Sequence, residues 1–153
     1  MLFSGRQKLL SMYTGLLHTH GLLRYFILIA LLVVIIKALI GLINKQPYGK
    51  WDNKFSLYLF IFTHMQLLVG LILYFVSPFV KFGPDTMSDK GTRYWTVEHI
   101  FAMLIAVILI TLARTTAKRM TSDEAKHKRM AIFNFVALVV IVAVIWLSGR
   151  PIL

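Results

Sequence analysis

The chain has 153 residues, of which 58% are apolar and 15% charged, with no cysteine and a formal net charge of +11. A soluble domain is nearer roughly 45–50% apolar and about 25% charged, and a chain this apolar does not stay disordered. The missing cysteines exclude a disulfide scaffold, a Cys-ligated zinc site, an iron–sulfur cluster and c-type haem attachment.

The apolar residues fall into four blocks: Leu22 to Ile43, Phe55 to Val80, Tyr94 to Ala113 and Ala131 to Leu147. A bilayer core of about 30 Å needs a helix of roughly 17–25 residues, which all four blocks supply. The pattern predicts an all-α fold: an integral membrane four-helix bundle, up-down-up-down, in one transmembrane domain over 1–153. Its helices are expected over about 12–43, 54–78, 93–115 and 123–148. The first block is too long for a signal peptide and has no small-residue cleavage site after it. Ser11 is the expected N-cap of helix one, whose first turns would lie in the membrane interface.

Asn44, Pro47 and Gly49 break the chain after helix one, and Asp52 or Asn53 can cap helix two. Pro78, Gly83 and Pro84 follow helix two. Thr121, Ser122 and Asp123 offer a cap for helix four, and Gly149-Arg150-Pro151 ends it. Gly15, Gly21, Gly41 and Gly70 mark positions where helices could approach closely.

The first and third loops carry Lys45, Lys50, Lys54, Arg114, Lys118, Arg119, Lys126, Lys128 and Arg129. The other side carries Arg6, Lys8, Lys81, Lys90, Arg93 and Arg150. The bias predicts those loops in the cytoplasm and both termini outside. The charge run Ala117 to Arg129 reads as a solvated, lipid-facing anchor, and no nucleic-acid partner is expected.

Polar groups inside the hydrocarbon region are expensive and point to function. His18 and His20 lie on helix one, His64 on helix two and His99 on helix three; His127, in the basic third loop, needs no special explanation. His64 lies about 14 Å and His99 about 21 Å from the cytoplasmic ends of their helices. The two could bracket one flat macrocycle. His20, about 35 Å from the Ile43 end, is nearer in depth to His99 than to His64, so a His20–His99 pair is the second geometry. His18 points to a different face. Arg24, one turn from His20, could pair with an acidic substituent of a ligand or snorkel to headgroups. Arg93 is a second such partner. Glu98 could orient a histidine, take a proton or pair with an arginine. Met65 and Met103 neighbour the histidines.

The segments Tyr13-Thr-Gly-Leu-Leu-His-Thr-His-Gly-Leu-Leu-Arg-Tyr25, Thr63-His-Met-Gln-Leu-Leu-Val-Gly-Leu-Ile-Leu-Tyr-Phe-Val-Ser-Pro78 and Arg93-Tyr-Trp-Thr-Val-Glu-His-Ile100 resemble a small bacterial four-helix membrane family labelled cytochrome b. The resemblance covers nearly the whole chain. There is a looser likeness to the four-helix halves of haem A synthase and to copper-resistance membrane proteins. The resemblance implies a b-type haem protein with His20, His64 and His99 at the matching positions, the iron held by neutral imidazoles. The chain departs from the usual two-haem transmembrane pattern: no helix carries histidines at two depths, and helix four has none.

The reading is therefore an electron-transfer protein of the bacterial inner membrane binding haem b, with His64 and His99 as the axial pair and His20 as the alternative. Arg24 and Arg93 would serve the propionates. The expected partners are the lipid bilayer, quinone, and a membrane redox protein or a second copy. The rivals are a copper-handling membrane protein using the same histidines with nearby Met, and a haem-free accessory subunit of a membrane complex.

Overall fold

The computed structural model describes residues 2–149. Arg150 and Pro151 lie outside the described residues, as does the side chain of Arg6. The described chain is all helix and connection, with no strand among the described residues. The helices are α1 (Leu2–Ile43), α2 (Lys50–Val76), a short α3 (Lys90–Arg93), α4 (His99–Ala117) and α5 (Asp123–Leu147). A π-helical stretch, Tyr94–Glu98, joins α3 to α4 into one continuous rod. Four helical spans are long and apolar enough to cross a membrane.

α1 has 42 residues and is about 63 Å long. Ser11, expected as its N-cap, sits inside the helix instead. The Ser11 hydroxyl donates to the carbonyl of Lys8, and Thr14 and Thr19 donate to Leu10 and Gly15 in the same way. Hydroxyls that bond back to the preceding turn do not compete for helix-starting amides, so the helix runs on through them. At its other end, Lys45 adopts φ 51° and the Gln46 amide donates to the Gly41 carbonyl at 2.9 Å. This is the six-to-one closure that ends many helices, with lysine in the position glycine usually takes.

α2 begins at Lys50, with Asp52 accepting from the Gly49 amide at 2.9 Å. Asp52 therefore acts from inside the first turn rather than as the cap itself. Ser122 caps α5 by accepting from the Ala125 amide, as its sequence position suggests.

α1 packs on α2 and α5, and α4 packs on α2 and α5, so the four spans close into a ring. Leu31, Leu59, Ile110, Ala113 and Ala137 form its dry centre. Alanines at 106, 113, 117, 131 and 137 are all buried, which lets α4 and α5 approach closely. Of the four glycines expected at contacts, Gly41 lies against His127 and Gly70 against His20; Gly15 and Gly21 have nothing near them. The outer surface is studded with exposed apolar groups, such as Phe75 at 83% and Trp146 at 74% exposure.

Candidate functional site

One half of the bundle encloses a cavity of about 420 Å³ between α1, α2, the π stretch, α4 and the end of α5. That size is in the range of a small-ligand or cofactor pocket. Each helix turns one face to it. Leu17, His20, Gly21 and Arg24 come from α1, and Thr63, Gln66, Leu67, Gly70 and Tyr74 from α2. Both sets follow the three- and four-residue spacing of a single helix face.

His20 and His99 approach each other in this cavity, with ring centroids 6.2 Å apart and ring planes at 61°. Gln66 and Gly70 fix the first ring. The Gln66 amide donates to the His20 carbonyl at 2.9 Å. Gly70 leaves room for the imidazole: a Cβ there would stand 3.2 Å from His20 Cε1.

His99 is positioned by the π stretch. Its amide donates to the Tyr94 carbonyl, five residues back. In an α-helix those two residues would point about 140° apart; the wider turn brings Tyr94, Trp95 and His99 to the same cavity, with ring separations of 5.9 Å and 5.6 Å to His99. Single π turns of this kind recur at functional sites. The stretch is pinned by two hydroxyls. Tyr74 donates to the Thr96 carbonyl at 2.8 Å, and buried Tyr94 donates to the Val144 carbonyl at 2.9 Å.

Four polar atoms on the wall are buried with no hydrogen-bond partner: His20 Nδ1, Arg24 Nε, Thr63 Oγ1 and Gln66 Oε1. Buried polar groups are normally satisfied, so four together mark a place built to meet something polar. Arg24 donates from Nη2 to the Tyr25 hydroxyl at 2.9 Å and has no carboxylate partner among the described residues.

The cavity does not gather every expected residue. His64 is not part of its wall. It is two positions from Gln66, about 200° around α2, on the side of exposed Ile61, Met65 and Leu68. There its Nδ1 donates to the Phe60 carbonyl at 2.8 Å and its ring lies tilted at 37° against Phe60. The pair brought together is thus His20 with His99, not His64 with His99. Arg93 is also off the wall, bound to Glu98 at 2.6 Å and to the Met87 carbonyl. His18 is exposed on another face of α1. Met103 lines the cavity and Met65 does not. No three or more His, Cys, Asp or Glu side chains converge into a metal-holding group among the described residues.

Sequence reasoning missed the role of His127. It is on α5, only 1% exposed, with its ring against Gly41 and Tyr48 and its Nε2 3.2 Å from the Gln46 carbonyl. Its place inside a run of lysines hid it; the distant Gly41, on a helix face, was the available signal. Comparison with protein-family models, with curated proteins and with solved structures gives no match to this chain.

Proposed function

We propose that this chain is a multi-pass inner-membrane protein, its four spans running up-down-up-down with both termini outside the cytoplasm, that binds one haem b and transfers electrons. The observation that carries the reading is the opposition of His20 and His99, 6.2 Å between centroids. Two imidazole–metal bonds of about 2 Å each, with a ring radius on either side, span about 6 Å. The separation therefore suits two imidazoles holding one metal centre from opposite faces.

The other wall residues suit the same group. Gly70 and Gln66 set the position of His20, and Tyr94 packs beside His99. Arg24, with a buried and unsatisfied Nε, would hold an acidic substituent. Leu67, Leu71, Ile100, Leu104 and Val144 keep water from the rings and lower the local dielectric. Bound haem would supply reversible one-electron chemistry at iron. Quinone or a membrane redox protein would exchange those electrons. Copper handling, the rival reading, would use the same His20–His99 pair with Met103, but three of its expected ligands, His18, His64 and Met65, lie off the cavity wall.

The test is a reduced-minus-oxidised spectrum of the purified protein, with metal analysis. Soret and α bands are expected, with iron in place of copper. His20→Ala and His99→Ala should each abolish or shift those bands, and His64→Ala should leave them. A fully inserted, folded protein without any chromophore would overturn the reading in favour of a haem-free accessory subunit.

A further inference from the structure

At the opposite end of the bundle, a second cavity of about 290 Å³ opens between the start of α2 and the end of α4. Its floor holds Arg114, which is only 7% exposed. Nη1 of Arg114 donates to the Asn53 carbonyl at 3.0 Å, to Asn53 Oδ1 at 3.2 Å and to the Ser56 hydroxyl. All three acceptors are neutral. Nε and Nη2 carry no hydrogen bond, and no carboxylate pairs with the guanidinium among the described residues.

A buried cation without a counter-charge is costly. The two carboxylates nearby are already engaged: Asp52 with Lys37 and the Gly49 amide, and Asp123 with Lys126. Lys50 and Lys118 line the same cavity with no carboxylate bound to either among the described residues, so they add to the positive charge of Arg114, whereas Lys126 is matched by Asp123. The α2 N-terminus also opens there, adding the positive end of a 27-residue helix. Tyr48 contributes a phenol that burial pushes above its ordinary value, leaving a neutral donor at the rim.

We propose that this cavity binds a phosphate group, with Arg114 as the buried anchor and Lys50 and Lys118 closing over it. A guanidinium with two free donor nitrogens, flanked by ammonium groups and a helix N-terminus, matches a tetrahedral oxyanion. The group can arrive as free inorganic phosphate or as the headgroup of an anionic lipid. The site is remote from His20 and His99, so it stands whether or not the haem reading does.

The experiment uses the full chain and the Lys50→Gln/Lys118→Gln double variant. Both lysines are exposed, so the variant should fold, which its helical circular dichroism would verify. One arm titrates inorganic phosphate into the detergent-solubilised protein. The other measures lipid retention in nanodiscs of phosphatidylcholine with or without phosphatidic acid. Saturable phosphate binding, weakened about tenfold in the variant, assigns the site to free phosphate. Selective retention of phosphatidic acid, lost in the variant, with no response to inorganic phosphate, assigns it to a headgroup. Absence of selective binding in both arms, or equal binding by wild type and variant, overturns the proposal.

Discussion

Gln66 on α2 donates a 2.9 Å hydrogen bond to the backbone carbonyl of His20 on α1. That bond ties the two helices at the depth of the cavity and sets the height of the His20 ring above Gly70. Replacing Gln66 by Leu keeps the volume and removes the tie. Interhelical bonds of this kind in membranes average about 0.6 kcal/mol, so a loss of about 0.5–1 kcal/mol is expected. Unfolding in a denaturing detergent, followed by circular dichroism, measures it; an unchanged midpoint would mean the bond contributes nothing.

Gly70 answers the same ring from the other side. A methyl group there would meet His20 Cε1 at 3.2 Å, so Gly70→Ala should push the imidazole by a few tenths of an ångström. On the haem reading, the expected result is a changed Soret position or weaker cofactor retention, with the fold intact. Gly70→Val should remove the cofactor outright. Wild-type spectra in both variants would show that the ring position is irrelevant to binding.

Depth was readable from the sequence and azimuth was not. Helical rise put His20 nearer in depth to His99 than to His64, and the two do meet. α2 starts at Lys50 and α4 ends at Ala117, so His64 and His99 lie about 21 Å and about 27 Å from those ends. Their depth difference therefore hardly changes. What excludes His64 is its direction around α2, set by Gln66 and Gly70 facing α1 and by Leu68 facing outward. The orientation of His99 was illegible for another reason: the π stretch shifts the register between Tyr94 and His99, and nothing in Tyr94-Trp-Thr-Val-Glu98 announces it. The four apolar spans were legible because each is a long, strongly apolar stretch with few charges. Arg114 was legible only as a loop charge, because its burial depends on Asn53 and Ser56 from a different helix.

Lys45 ends α1 with φ 51°, a conformation that disfavours any residue with a Cβ by about 1–2 kcal/mol. The Gln46-to-Gly41 closure requires it. Lys45→Gly should therefore stabilise the protein by about 1 kcal/mol, after glycine's greater freedom in the unfolded chain is subtracted. Lys45→Ala should bring no such gain. Comparing the two unfolding midpoints isolates the backbone effect from the loss of charge, since both variants lose the lysine.

The ring of His127 occupies the space where a side chain at Gly41 would begin, and the site is closed, with His127 only 1% exposed. Neither helix can give way easily. The Gly41 carbonyl is held by Gln46, and the imidazole is held between Tyr48 and the Gln46 carbonyl. Gly41→Ala should consequently cost about 1–3 kcal/mol, as overpacking does in other tight cores. His127→Ala should also destabilise, by emptying that space. The two changes together should cost less than their sum, because the new methyl group enters the volume the imidazole leaves. A double-mutant cycle on unfolding free energy reads this directly, with a coupling of about 0.5–3 kcal/mol expected for residues in contact. Strict additivity would mean that Gly41 and His127 do not touch, and that the α1–α5 contact is built some other way.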